Sequence, residues 1–107
     1  MPEVLGEFEQ LVLLALMRLG ADAYGVSIAD DIAERTRRDV SLGAVYKTLE
    51  RLEDKGLVAS RIGDPTPERG GRRKKYYRVL AAGQRALSQS LGALRAMTAG
   101  LESDLRL

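Results

Sequence analysis

The 107-residue chain contains no histidine and no cysteine. The first absence removes the commonest general base and metal ligand, and with it any serine nucleophile activated by histidine. The second removes disulfides, thiol nucleophiles and thiolate zinc sites. No metal or cofactor is expected from what is left. Carboxylate, lysine and tyrosine chemistry stays available. Adjacent acids such as Asp30 and Asp31, or Glu53 and Asp54, point to different faces of a helix, however, and make no catalytic dyad. An enzyme is therefore not expected. Long apolar runs are lacking as well. The longest, residues 11–17, has seven residues, against roughly 20 for a membrane-spanning helix. Glu3 and Glu7 stand where a secretory leader carries positive charge. A cytoplasmic, soluble protein of one domain is expected, burying roughly two-thirds of its unfolded surface.

The net charge of +2 conceals an uneven distribution. Residues 1–34 carry one basic and seven acidic side chains, a net of −6. Residues 35–85 carry fourteen basic and six acidic ones, a net of +8, and residues 86–107 two of each. Such asymmetry is read either as an electropositive surface for a polyanion or as a solvated charged face.

Periodicity predicts a helix over residues 3–19, with Val4, Phe8, Leu11, Ala15 and Leu19 on one stripe. Leu13, Leu14, Leu16 and Met17 fill its other faces, so it needs cover on more than one side, and a second subunit would supply it. Gly20 ends it. A second helix is predicted over residues 24–38, carrying Tyr24, Ile28 and Ile32 inward, with arginines toward its C-terminal end. After a connection of three or four residues, Ser41 reads as the N-cap of a third helix that buries Leu42, Val45, Leu49 and Leu52 and ends at Gly56. That pair is a helix-turn-helix. Residues 57–62 and 72–80 then read as two strands around a loop rich in glycine and proline. Tyr77 and Val79 share one face of the return strand, Tyr76 and Arg78 the other. From residue 81 to about 104 the chain reads as one helix with Leu87, Leu91, Leu94, Thr98, Leu101 and Leu105 in a coiled-coil-like seam.

Opposite the buried stripe of the third helix lie Gly43, Ala44, Lys47, Thr48 and Arg51. Small residues allow close approach to a groove, and longer ones reach base edges and phosphates. Tyr46 sits at the edge of the stripe, where core packing and phosphate contact are both open to it. Six of the 17 basic residues fall within residues 69–78, with no acid among them. Cations so placed either release phosphate counterions or protect a strand edge. Tyr76 and Tyr77 read as core. The leucine seam either closes the chain's own core or pairs two chains, and its length favours pairing. A helix-turn-helix followed by a basic hairpin describes a winged helix. The fold expected is mainly α with a small β-hairpin, a winged helix-turn-helix plus a C-terminal dimerisation helix. Residues 1–80 form the first part and residues 81–107 the second, in one compact unit.

In its residues the chain resembles PadR-type transcriptional regulators, in the subgroup with a single short C-terminal helix. The carriers are Leu11-Val12-Leu13-Leu14-Ala15-Leu16, Tyr24-Gly25 with Ile28-Ala29, Leu42-Gly43-Ala44-Val45-Tyr46 with Leu49, Arg51-Leu52-Glu53 and Lys55-Gly56-Leu57. Gly70-Gly71-Arg72-Arg73-Lys74-Lys75-Tyr76-Tyr77-Arg78 is the most specific. The resemblance implies a homodimeric repressor that binds double-stranded DNA. Ser41, Gly43, Ala44, Tyr46, Lys47 and Thr48 would face it from the third helix, and Gly71, Arg72, Arg73 and Lys74 from the wing. The first and last helices would form the dimer, through Phe8, Leu11, Leu87, Leu91, Leu94 and Leu101. Two departures stand out. Val79-Leu80 replaces the family's Leu-Thr, whose threonine caps the last helix and is worth about 1 kcal/mol. The last helix also lacks the aromatic residues between which some members hold flat ligands, so the residues lend no support to a small-molecule effector. The expected function is a sequence-specific regulator at a pseudo-palindromic operator. The alternative is a winged-helix interaction module without DNA binding.

Overall fold

A computed structural model describes residues 4–64 and 73–107. The order of elements is α1 (Glu7–Leu19), a 3-10 turn (Gly20–Asp22), α2 (Gly25–Thr36), α3 (Leu42–Asp54), β1 (Val58–Ile62), β2 (Lys75–Val79), α4 (Ala81–Thr98) and the short α5 (Glu102–Leu105). The chain is mainly helical with a two-stranded antiparallel hairpin, in which Val58 pairs with Val79 and Ile62 with Lys75. A third short edge is added by the segment before α2. The Tyr77 N–H donates to the Ala23 carbonyl at 2.9 Å, and Tyr24 bridges to Tyr76. This is the winged helix-turn-helix that the element order predicted.

The core lies where α1, α2 and α3 meet the inner face of the hairpin. Val12, Leu13, Ile28, Val45, Leu49, Leu52 and Val58 are its largest fully buried side chains. Helix α1 turns a different stripe inward from the one periodicity predicted. Glu9, Val12, Leu13, Ala15 and Leu16 are buried, whereas Val4 is exposed and Phe8, Leu11 and Leu19 are half-buried against the core's rim. The carboxylate at position 9 breaks the apolar pattern in sequence, yet its methylenes lie on the true core stripe. Leu14 and Met17 stay exposed on the far side of the helix.

Helix α3 begins as predicted. The Ser41 hydroxyl accepts from the Ala44 N–H at 3.1 Å, satisfying one of the helix's free donors. Leu42 is exposed, so the buried stripe starts one turn later than expected. The hairpin alternates as predicted, with Tyr77 buried and Arg78 exposed. Tyr76 is only half-buried, and its ring meets that of Tyr24 edge-on at 5.7 Å.

The last helix differs more. It stops at Thr98, and Gly100 adopts a φ of 87° before α5 begins, so the leucine seam is two segments and not one. No side chain caps its start at Leu80. Packing substitutes for the missing threonine: the Leu80 N–H donates to the Leu57 carbonyl at 2.9 Å, and the α carbon of Gly83 backs directly onto that same carbonyl. From position 92 onward no residue is buried in the single chain. No helix among the described residues is long and apolar enough to cross a membrane.

The close approach at Gly83 reverses an ordinary rule. Glycine inside a helix is about 1 kcal/mol less favourable than alanine. Here a β carbon would collide with the Leu57 carbonyl and press on Val79. Gly83→Ala is therefore expected to destabilise the fold by about 1–3 kcal/mol. Thermal unfolding followed by circular dichroism checks it; a raised melting temperature would contradict the packing described.

Candidate nucleic-acid interface

Helix α3 is held at both ends by the first turn of α1. At its C-terminal end the side chain of Glu9, 8% exposed as a residue, receives the Lys55 ammonium at 3.0 Å and lies 3.6 Å from Nε of Arg51. Its other oxygen accepts from the Gly6 N–H at 2.9 Å, fixing the start of α1. Burial pushes the Glu9 carboxyl upward, but the Gly6 N–H, Lys55 and Arg51 outweigh it and hold the group below the usual carboxylate range. Before the N-terminal end of α3, Arg38 reaches Glu7 at 2.9 Å. A second carboxylate carries the tie onward into the hairpin. Glu53 of α3 accepts from the Ser60 hydroxyl at 2.6 Å and faces Lys75 at 3.9 Å.

These ties leave the outward face of α3 in solvent. Ser41, Gly43, Ala44, Tyr46, Lys47 and Arg51 are all exposed. Lys47 forms no ion pair among the described residues. Arg51 is tethered through its guanidinium to Glu9 and Thr48, with more than half of its side chain still exposed. Tyr46 packs on one side and stays open to solvent on the other. Its ring covers the α carbon of Gly25, where an added β carbon would sit 2.5 Å from the ring, and 45% of the residue remains exposed.

Thr48 requires a correction. It was expected on the outward face but is 3% exposed, between Val45 and Leu52 on the core stripe. The pitch of 3.6 residues puts position 48 three after Val45 and four before Leu52, so it shares their side. The hydroxyl made it look like a surface residue, but its role is internal, accepting from Arg51 at 3.5 Å.

On the wing, Gly71 and Arg72 lie outside the described residues. Arg73 is exposed at the base of β2. Lys74 is half-buried, its ammonium 4.4 Å from the centre of the Tyr24 ring. Arg61, which sequence reasoning left unassigned, lies over the other ring of the pair, 4.6 Å from the centre of Tyr76. Its partner across the strands is Tyr76 itself, a pairing that only the register reveals. Cations over aromatic faces stiffen the base of the wing while keeping their charge at the surface.

The residues expected at a dimer interface divide. Leu87 is 3% exposed and belongs to the chain's own core, a correction to its assignment, because Gly83 seats the start of α4 against the Leu57 carbonyl and Val79. Phe8, Leu11 and Leu91 are half-buried around that core. Leu94 and Leu101 are exposed, at 55% and 45%. Met97 at 76% extends their apolar surface and was missed, since it falls outside the four-and-three seam.

The geometry defines a winged-helix protein whose third helix and hairpin carry exposed cations. The model of the PadR-like family of transcriptional regulators matches residues 13–89. The chain belongs to that family. It is 34% identical over 93 residues to Transcriptional regulator Rv3488 of Mycobacterium tuberculosis (strain ATCC 25618 / H37Rv), covering 82% of this chain and 80% of that protein. A PadR family transcription regulator from hypervirulent Clostridium difficile R20291 superposes with a TM-score of 0.76 at 28% identity, over 94% of this chain and 99% of that one. Bacillus subtilis PadR, crystallised in complex with operator DNA, shares the fold. Its TM-score is 0.65 at 23% identity, over 78% of this chain and 47% of that one.

Removing the Glu9 charge tests the tie between α1 and α3. Glu9→Gln keeps an acceptor for Gly6 but loses the ion pairs, and is expected to destabilise the fold by about 1.5–3 kcal/mol near neutral pH. Because the folded-state pKa is lowered, this stability is present above the unfolded carboxylate's pKa of about 4.3. It is lost as pH falls through the folded value. Urea unfolding of both proteins across pH should give curves that converge on the acid side. A gap that persists at low pH would show that Glu9 acts by packing alone.

Proposed function

We propose that this PadR-like regulator is a homodimeric repressor that binds a pseudo-palindromic DNA operator and acts by occupying it. The observation that carries the reading is the outward face of α3. Its small N-terminal residues, Gly43 and Ala44, are followed by exposed Lys47 and Arg51, and its framework is pinned by Glu7 and Glu9. Small residues let the helix approach base edges, and a preorganised framework limits the entropy lost on binding. Ser41, Gly43, Ala44, Tyr46, Lys47 and Arg51 read or position against the major groove. Gly71, Arg72, Arg73 and Lys74 grip the adjacent backbone. Thr48 supports Arg51 from within. The complex of Bacillus subtilis PadR with operator DNA supports the DNA-binding part of this reading.

Two chains pair through the exposed side of α1 and the second half of α4. Leu14, Met17, Leu94 and Met97 are apolar and exposed there, beside half-buried Phe8, Leu11 and Leu91. Residues 1–80 act as the DNA-binding part and residues 81–107 as the dimerisation helix of one compact unit in the cytoplasm. No small-molecule effector is assigned. Two-fold pairing sets the two recognition helices on half-sites about one helical turn apart, roughly 34–36 Å.

Sequence selection from a random duplex pool tests the reading, combined with binding measured across salt. Arg73→Ala is expected to weaken binding to all sequences alike and to make the salt slope shallower by about 0.9 for each phosphate left unneutralised. Lys47→Ala should instead relax preference at one position, by about 1–3 kcal/mol. Affinity that does not vary with salt would contradict a phosphate-based mechanism. For the dimer, Leu94→Asp combined with Met97→Asp should convert a two-chain species to one chain in light scattering while the helical signal is retained. An unchanged mass would place the interface elsewhere.

A further inference from the structure

We propose that Arg37, in the connection between α2 and α3, is a DNA-phosphate contact, held in place by a backbone conformation that arginine adopts reluctantly. The inference rests on the DNA-binding reading above and adds a contact that neither α3 nor the wing supplies. Three arginines crowd the end of α2, and two of them are occupied. Arg35 pairs with Asp31 at 3.0 Å, and Arg38 with Glu7 at 2.9 Å. Arg37 is exposed, and its guanidinium has neither an ion pair nor a hydrogen bond among the described residues.

Its backbone is the second observation. Arg37 has φ 55° and ψ 39°, and its N–H closes α2 by donating to the Ala33 carbonyl at 2.9 Å. This left-handed C-terminal position is one that glycine fills without strain and asparagine tolerates, while a β carbon makes it unfavourable for other residues. The only other non-glycine residue with positive φ among those described is Arg106, which closes the last turn before the chain's end. At position 37 the chain runs on immediately into Ser41 and α3. A glycine there would make the same turn with less strain. What arginine adds is a charge a few residues ahead of α3, on a backbone of set direction, with both neighbouring arginines already neutralised. Strain kept at an exposed turn beside a binding element points to a use for the side chain. An unpaired guanidinium suits a phosphate, which takes it in a bidentate fork.

The competing role is structural, since a cation at the end of α2 also opposes the helix dipole. Fluorescence anisotropy separates the two. It uses a labelled duplex of random sequence and a series of salt concentrations, with the full-length chain and its Arg37→Asn, Arg37→Gly, Arg37→Lys and Arg35→Gln variants. Asparagine and glycine remove the charge without adding backbone strain. Both are expected to keep or raise the melting temperature, yet to flatten the salt slope by about 0.9 per bound chain. Arg37→Lys should retain the parent slope, and Arg35→Gln should match the parent because its charge is already paired. A parent slope in Arg37→Asn and Arg37→Gly overturns the inference and leaves the DNA reading intact. An equal loss in Arg35→Gln overturns it too, since the effect would then be one of general charge. A parent protein that does not bind the duplex overturns both.

Discussion

The carboxylate of Glu9 is the interaction on which the placement of α3 depends. It lies at the boundary between α1 and α3, takes an N–H from the start of its own helix, and meets Lys55 and Arg51 from the end of the other. A buried carboxylate without these partners would be expelled or protonated. With them, it sets the spacing between the helix with an apolar outer side and the helix with a charged one. Glu53 repeats the arrangement one layer on, linking α3 to the hairpin through Ser60 and Lys75. Two acids thus position α3 against the body and the wing against α3.

This division of labour explains the uneven charge. The acidic first third does not simply balance a basic middle. Glu7 and Glu9 neutralise Arg38, Lys55 and part of Arg51, all of them cations near the two ends of α3. Lys47, Arg37 and Arg73 are left in solvent with no acid paired to them among the described residues. Selective neutralisation therefore sharpens the electropositive face, which the total of +2 conceals.

Much of this was legible in sequence where a local chemical signal coincided with the fold. Ser41 announced α3 because a hydroxyl before an apolar-periodic run satisfies free helix donors. The strands were legible from alternation, with Tyr77 and Arg78 falling on opposite faces as observed. Reading failed where residue type and position disagree. Glu9 and Thr48 are polar, so periodicity draws the stripe on α1 through other positions and places Thr48 on the outward face of α3, although both residues are buried. Leu87 looked like one more leucine of a long seam, because nothing local announces that Gly83 seats the start of α4 on the Leu57 carbonyl. Gly100 gave the one hint that the seam is broken, and its left-handed backbone ends it. The roles of Arg61 and Arg37 depend on register and on backbone angle, neither of which a single sequence displays.

The central claim is that a framework pinned by acids presents the outward face of α3, twice over, to duplex DNA. Selection of bound duplexes from a random pool by the full-length chain measures this most directly. The account predicts enrichment of a pseudo-palindrome whose half-sites are centred about one helical turn apart, roughly 10–10.5 base pairs. A pool that returns no common sequence, or a single asymmetric site, would contradict it.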